Sequence, residues 1–268
     1  MFGILLTTLN EQFSICIKTS EHFCSDITGG TNTMNLTYKS SAGIEYNMRR
    51  SKFAMNYSPV IVSDNMSGKM SGIPSISTSV LENPICQKRR EQKNSICSKC
   101  FAANTAARYS SLANNLKSNL ELLTGEILPA DVLPRFIPEL ANIIRFESFG
   151  DLANVNQAIN YLNIAKVNPG VRFALWTKNI GFLARAVEMV GKQENIRIIY
   201  SSPIINQAID AEKTKRAFPC IDAVFTVYDK KHVAENNTDI NCGAKSCITC
   251  RNCYDRSDFY SDIREQLK

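Results

Sequence analysis

The sequence predicts an α/β protein whose core is an open or partial (β/α) barrel with mostly parallel strands, extended by an N-terminal segment and a cysteine-rich C-terminal segment. Between residues 143 and 228, apolar runs that end in polar residues alternate with amphipathic segments. Strands separated by helices pair in parallel through right-handed crossovers. The chain has 268 residues and a hydrophobic content of 44%, which is enough for one large core.

Three regions are expected along the chain. Residues 1–56 form the N-terminal extension, residues 57–235 the partial barrel with a first cysteine group, and residues 236–268 the cysteine-rich segment. The first forty residues mix Thr, Ser and Asn without a sustained period, so we expect only one or two edge strands there. Two β-rich runs at residues 60–62 and 73–80 flank a polar turn and predict strands that lead into the first cysteine group.

The spacing of apolar residues along the chain predicts the helices and strands of the barrel. Apolar residues at near-helical spacing predict one long helix from residue 101 to residue 123, ending before Gly125. The later segments predict strands at 143–149, 171–176, 196–200 and 223–228, and helices at 154–167 and 182–190. The central strands are apolar nearly throughout, as expected when helices cover one face and a packed interior covers the other.

Polar residues cluster where the predicted strands end. In parallel α/β folds, functional groups gather where the carboxyl ends of the strands meet the following loops. The candidate cofactor-binding residues selected on this ground are Glu147, Ser148, Asp151, Lys178, Ser201 and Ser202. Asp151 is equally well explained as a helix cap, and the two serines that precede Pro203 as ordinary turn residues.

Cys86, Cys97 and Cys100 form a first cysteine group, with ten residues between the first two and two residues between the last two. A spacing of two lets both thiolates converge on one metal centre, and the basic insert can loop back to deliver the third. Three ligands between a strand and a helix suit a 4Fe-4S cluster that keeps one iron open. The alternatives are a structural zinc completed by a distant residue, and a buried thiol beside a pair that binds nothing.

Cys242, Cys247, Cys250 and Cys253 form a second cysteine group within twelve residues. Two consecutive spacings of two are more typical of ferredoxin-type cluster ligation than of the separated pairs of a zinc ribbon. The alternatives are a zinc knuckle, and a site in which this group completes the first one in space. One cluster and two clusters are therefore both compatible with the spacing.

Composition excludes several other classes of protein. The chain has only two histidines, which excludes a histidine-rich metal site. No apolar stretch reaches the roughly 18 residues of a membrane span, so we expect a cytoplasmic protein without a membrane partner. Ten cysteines in such a chain indicate metal ligands rather than disulfides. The net charge of +6 is compatible with a nucleic acid or nucleotide partner and does not require one.

Several segments together resemble a known family. They are SGIPSISTS, NPIC with ICSKCFA, RFESFGDL, NPGVRFALWTKN and the C-terminal cysteine cluster, and they run from about Ser67 to Cys253. This ordered set resembles the phage and bacterial proteins grouped as the gene product 88 domain. The resemblance implies kinship, and it places the protein in the cytoplasm of a bacterium or a phage-infected cell.

A looser resemblance is to the radical S-adenosylmethionine superfamily, whose members are partial (β/α) barrels with a three-cysteine cluster loop after the first strand. It implies a 4Fe-4S cluster on the first cysteine group and an auxiliary cluster on the second. The region of Glu147 would bind the methionine amino group of the cofactor, and Ser201 and Ser202 would face its ribose. The chain departs from the superfamily in its first spacing, which is ten rather than three residues, and in its lack of a clear Gly-Gly-Glu motif.

The leading hypothesis is therefore an iron–sulfur enzyme that uses S-adenosylmethionine and takes electrons from a donor such as a flavodoxin or ferredoxin. A second hypothesis is a non-catalytic zinc protein that binds nucleic acid. A third is an iron–sulfur enzyme that does not use S-adenosylmethionine.

Overall fold

The structure is a computed structural model that describes residues 35–255 and 261–267, together with the backbone of three short strands nearer the N-terminus. These strands begin a five-stranded antiparallel sheet, in which each strand pairs with the next along the chain. Its members are β1 (Leu6–Leu9), β2 (Gln12–Ile15), β3 (Phe23–Ile27), β4 (Asn35–Lys39) and β5 (Glu45–Asn47). The expectation of one or two edge strands was wrong, because strands of three to five residues are too short to show a clear alternation.

The antiparallel sheet is joined to the main body of the protein through tyrosines. Tyr38 and Tyr46 are buried in the main hydrophobic core. The Tyr38 hydroxyl also donates a hydrogen bond of 2.7 Å to Glu126 Oε1. The last strands of this sheet are therefore packed onto the α/β body.

A second sheet contains six strands, all parallel. They are β6 (Ser75–Ile76), β7 (Ile143–Phe146), β8 (Arg172–Thr177), β9 (Ile196–Ser201), β10 (Ala223–Tyr228) and β11 (Asp262–Gln266). The spatial order is β6-β7-β8-β9-β10-β11, the same as the order along the chain. Sequential order with right-handed crossovers places the helices that follow β7 and β8 on one face of the sheet. The predicted α/β fold with mostly parallel strands is confirmed.

Eight helices of the described chain connect or flank these strands. They are α1 (Pro84–Arg90), α2 (Phe101–Arg108), α3 (Ser110–Gly125), α4 (Val155–Lys166), α5 (Ile180–Val190), α6 (Ala211–Ala217), α7 (Lys230–Asn236) and α8 (Cys247–Cys250). The single helix predicted from 101 to 123 was wrong, because the chain is extended at Tyr109, with φ −122° and ψ 97°. Two helices that each bury one face give the same spacing pattern as one continuous helix. Within the described ranges, none of the helices is both long enough and apolar enough to cross a membrane.

The β-rich segment before the first cysteine group contains much less strand than predicted. Only Ser75 and Ile76 pair with β7, and residues 60–62 form no strand. The reason is a side chain: the Asn119 amide accepts from Ile61 N and donates to Ile61 O, both at 2.8 Å. This amide takes the place of a neighbouring strand.

The two faces of the parallel sheet carry different partners. Residues such as Phe146, Phe173 and Ile198 pack against α4 and α5 in the main core. The alternate residues form a second core on the inner face, where Trp176 meets Tyr254 and the half-buried Cys242, Cys247 and Cys253. The cysteine-rich C-terminal segment thus covers the face of the sheet that the helices leave open.

Candidate functional site

A cavity of about 1070 Å³ opens between the carboxyl ends of the parallel strands and the C-terminal segment. All seven cysteines of the two groups line it. Five of the six candidate polar residues line the same cavity, namely Glu147, Ser148, Asp151, Lys178 and Ser201. Ser202 does not line it, and its hydroxyl instead donates to the carbonyl oxygens of Ile204 and Gln207 at 2.9 and 3.2 Å.

The first cysteine group lies on a segment that crosses the carboxyl edge of the sheet. Cys86 is buried on α1, whose first turn is capped by the Asn83 side chain. Cys97 lies in a short 3-10 turn, and Cys100 N donates to Cys97 O at 3.2 Å. Cys100 also directly precedes α2. The predicted position of the group, between the first parallel strand and a helix, is where the structure has it.

Two contacts fix the crossing segment to distant strands. Ile96 N donates to Pro203 O at 3.0 Å, beyond the end of β9. The Arg89 guanidinium donates to Asp151 Oδ2 at 3.0 Å and to Asn179 Oδ1 at 2.7 Å, beyond the ends of β7 and β8. Arg89 and Ile96 together therefore anchor the cysteine segment across three strand ends.

The second cysteine group is held by backbone contacts from three directions. Cys242 N donates to Arg264 O at 3.0 Å on β11, and Cys247 N donates to Lys69 O at 2.8 Å. The Arg197 guanidinium, on β9, donates to the carbonyl oxygens of Asn252 and Asp255. Lys69 Nζ lies 3.3 Å from Cys242 Sγ and 3.0 Å from Glu265 Oε1. These anchors tie the segment to the inner face of the sheet.

The surroundings of the cysteines differ between the two groups. Burial raises the pKa of Cys86, on which Asp151, Glu147 and Cys97 also act. Burial likewise raises the pKa of Cys253 to about 12, and there the neighbouring charges and thiols are Arg145, Cys242, Arg197 and Cys247. Cys86 and Cys100 pack in one hydrophobic cluster, and Cys242, Cys247 and Cys253 pack against another. The two cysteine groups therefore lie against different parts of the cavity wall.

The cysteine thiols are the candidate metal ligands of the cavity. Within residues 36–255 and 261–267, no three His, Cys, Asp or Glu side chains are close enough together to form a metal-binding group as they stand. The donor chemistry nevertheless fits, since thiolates are the ligands of iron–sulfur clusters and of structural zinc. The candidate ligands are three cysteines at one site and four at the other.

Asp151 does not cap a helix, so that alternative was wrong. The cap of α4 is Asn154, whose side chain accepts from Gln157 N at 3.0 Å. The Asp151 carboxylate accepts instead from Thr177 Oγ1 at 2.7 Å, from Lys178 N at 3.1 Å and from Arg89. Asp151 is therefore the point at which the cysteine segment is joined to the ends of β7 and β8.

Glu147 is buried directly after β7, and its carboxylate oxygens already have partners. Oε1 accepts from Tyr161 OH at 2.5 Å and from Gln157 Nε2 at 2.6 Å, while Thr78 donates through both its hydroxyl and its backbone N–H. Burial raises the pKa of Glu147 to about 8, although these hydrogen bonds oppose the shift. Glu147 also has a left-handed backbone, with φ 57°, which is uncommon for a residue with a side chain.

Gly150 permits this arrangement, and its replacement should be costly. Its φ is +86°, and a Cβ there would lie 2.4 Å from Glu147 Oε2 and 2.6 Å from Thr78 O. We expect Gly150→Ala to lower the free energy of unfolding by about 3 kcal/mol, from backbone strain and overpacking together. Urea denaturation measures this. Gly181→Ala on α5 is the control, because nothing lies within 4 Å of its Cβ position, and an equal loss in both variants would contradict the prediction.

Three basic residues were missed in the sequence analysis. Arg145 and Arg197 lie within otherwise apolar strands, and a charged residue in a strand buried on both faces is a usable signal. Lys69 gave no such signal, because its partners Cys242 and Glu265 are more than 170 residues away along the chain.

Comparisons with known proteins support the predicted kinship. The profile of the family described as Gene product 88 matches residues 62–261. No curated protein matches the chain, and no solved structure matches it. The match covers most of the sequence, including the parallel strands β6 to β10 and both cysteine groups. The chain therefore belongs to the gene product 88 family.

Proposed function

We propose that the protein is an iron–sulfur enzyme of radical S-adenosylmethionine-like architecture. The first cysteine group would hold a 4Fe-4S cluster and the second an auxiliary cluster. One observation carries the proposal: two cysteine groups far apart in sequence line a single cavity at the carboxyl edge of a parallel sheet. In folds with parallel strands and connecting helices, active sites and ligand sites lie at the carboxyl ends of the strands.

The first group supplies three ligands, and a 4Fe-4S cluster held by three cysteines leaves one iron free to bind an external ligand. Around this position the chain offers Lys178, directly after β8, and Ser201, the last residue of β9, and both line the cavity. Lys178 acts electrostatically on Cys86 and is therefore close to the first group. We assign to Lys178 the binding of a cofactor carboxylate and to Ser201 a hydrogen bond to a hydroxyl group.

Glu147 and Asp151 have a different role in this proposal. Their carboxylate oxygens already accept hydrogen bonds from Tyr161 and Arg89, among other donors. Both are therefore positioning residues, which hold the strand ends and the cysteine segment in place. Ser148 belongs with them, since its hydroxyl lies 2.9 Å from the hydroxyls of Ser77 and Ser75.

The experiment is anaerobic purification with iron and sulfide analysis, followed by reduction in the presence of S-adenosylmethionine. We expect iron and sulfide in equal amounts, and 5′-deoxyadenosine as a product. A colourless protein that contains only zinc would reject the proposal. Iron and sulfide without 5′-deoxyadenosine would favour an iron–sulfur enzyme that does not use S-adenosylmethionine. A turnover assay requires an electron donor, for which a flavodoxin or ferredoxin of the bacterial or phage-infected cytoplasm is the natural choice.

A second candidate, a zinc protein that binds nucleic acid or a nucleotide, is favoured by the charge of the cavity wall. Its described cations outnumber its carboxylates by seven to four. The cations are Lys69, Arg89, Arg90, Lys99, Arg145, Lys178 and Arg251. An electrostatic interface of this kind loses affinity steeply with salt. Binding of single-stranded DNA or RNA that is independent of salt would count against it.

A further inference from the structure

Arg145 is a cation in the middle of a buried apolar strand, IIRF in β7. Its neighbours Ile144 and Phe146 face the main core, so its own side chain lies on the inner face of the sheet. The C-terminal cysteine segment covers that face. Placing a charge there is costly unless it has a partner.

The partners that Arg145 has within the protein do not satisfy it. Its Cζ lies 3.7 Å from the centre of the Trp176 ring, which fixes the guanidinium plane. Nη1 lies 3.5 Å from Met70 Sδ, and a thioether is a weak acceptor. Nε is buried without a hydrogen-bond partner. Of the carboxylates in the described ranges, none forms an ion pair with Arg145. A guanidinium with five N–H donors is thus held rigidly with almost nothing to donate to.

The second cysteine group packs on the same face as Arg145. Cys242, Cys247 and Cys253 contact the inner-face cluster that contains Trp176, the ring over which the Arg145 guanidinium lies. Arg145 is also the largest charge acting on Cys247 and on Cys253. The guanidinium therefore lies beside the C-terminal cysteine segment.

Arg197 also faces inward, but its hydrogen-bond partners differ from those of Arg145. Both pair with Ala174, on the two sides of β8, and so they lie in one row across the sheet. Arg197 donates to the carbonyl oxygens of Asn252 and Asp255 and so anchors the cysteine segment. Arg145 has no contact of that kind with residues 236–255 or 261–267 of the segment, which leaves its N–H groups for whatever the thiols bind.

We propose that Arg145, oriented by Trp176, is the charge partner and hydrogen-bond donor of an anionic metal–thiolate centre held by Cys247, Cys253 and their group. The inference rests on the proposed function and adds a positioning residue to it. A centre with four thiolate ligands carries net negative charge, and hydrogen bonds to sulfur and nearby charges set its reduction potential. Arg145 would stabilise the more negative, reduced form.

The test isolates the second centre in the full-length protein. The parent is Cys97→Ser/Cys100→Ser, which removes two half-buried ligands of the first centre. Arg145→Met is made in this parent, with Arg185→Met as the control, since Arg185 is an exposed arginine on α5. Iron and sulfide per chain and the reduction potential are measured anaerobically.

We expect Arg145→Met to shift the reduction potential to a more negative value and to reduce retained iron at least twofold, while Arg185→Met matches the parent. Arg145→Gln keeps an N–H donor without the charge and should shift the potential in the same direction, so it decides the question if the methionine variant does not fold. A folded Arg145 variant with the same reduction potential and iron content as the parent would overturn this inference. The proposed function would then be unaffected. A wild-type protein without iron and sulfide would overturn the proposed function and this inference with it.

Discussion

Replacing Cys97 and Cys100 together by serine is expected to remove about half of the iron and sulfide that the anaerobic protein holds. The second cysteine group should keep its share, because it packs in a different hydrophobic cluster from the first. Formation of 5′-deoxyadenosine should be abolished, since the proposed function assigns the open iron to the first cysteine group. The reciprocal variant, Cys247→Ser/Cys250→Ser, should also lose about half of the iron.

All four replaced cysteines are half-buried, so the serine variants are expected to fold. Cys220→Ala is the matched control, because Cys220 is buried in the main core and does not line the cavity. Iron, sulfide and far-UV circular dichroism are measured for each variant. Complete loss of iron from both double variants, with the fold intact, would indicate a single centre shared by the two groups. Iron content that neither double variant changes would exclude both groups as ligands.

The parallel sheet could be predicted from the sequence because its strands are buried on both faces. Such strands are continuous apolar runs, and 223–228 was predicted with the bounds of β10. Short strands were not predictable, because β11 (Asp262–Gln266) is polar at most positions and pairs only through its contact with β10. The break at Tyr109 was not predictable either, since period alone does not reveal a change of helix direction.

The candidate site was predictable to the extent that its chemistry is local in sequence. Cysteine spacing and strand ends led to the groups that line the cavity. The anchors were not predictable, because each is a long-range contact: Arg89 with Asp151, Lys69 with Cys242, and Arg197 with Asn252. The packing of the two groups in different hydrophobic clusters was likewise not predictable, because it depends on the sheet.

The stability of the protein is expected to depend on pH through Glu147. Its pKa is raised by burial from the ordinary value of 4.5 to about 8. Below pH 4.5 the carboxyl group is protonated in both the folded and the unfolded chain, and its contribution is fully present. As the pH rises from 4.5 to about 8, the unfolded chain ionises while the folded chain stays protonated, so unfolding releases a proton. The free energy of unfolding should fall by about 1.4 kcal/mol per pH unit in this window and become flat above it.

Glu147→Gln removes this dependence and costs one hydrogen bond, because its amide nitrogen cannot accept from Thr78 N–H as Glu147 Oε2 does. A glutamine at this position is neutral at every pH, and its oxygen can accept from Tyr161 and Gln157 as the protonated acid does. We therefore expect the stability of the variant relative to the wild type to increase from pH 5 to pH 8, measured by urea denaturation at each pH under anaerobic conditions. Glu139→Gln, at an exposed position, is the control and should run parallel to the wild type. Parallel curves for the wild type and Glu147→Gln would mean that Glu147 is ionised in the folded protein. In that case the carboxylate, and not the acid, would hold Thr78 and Tyr161 behind the cavity wall.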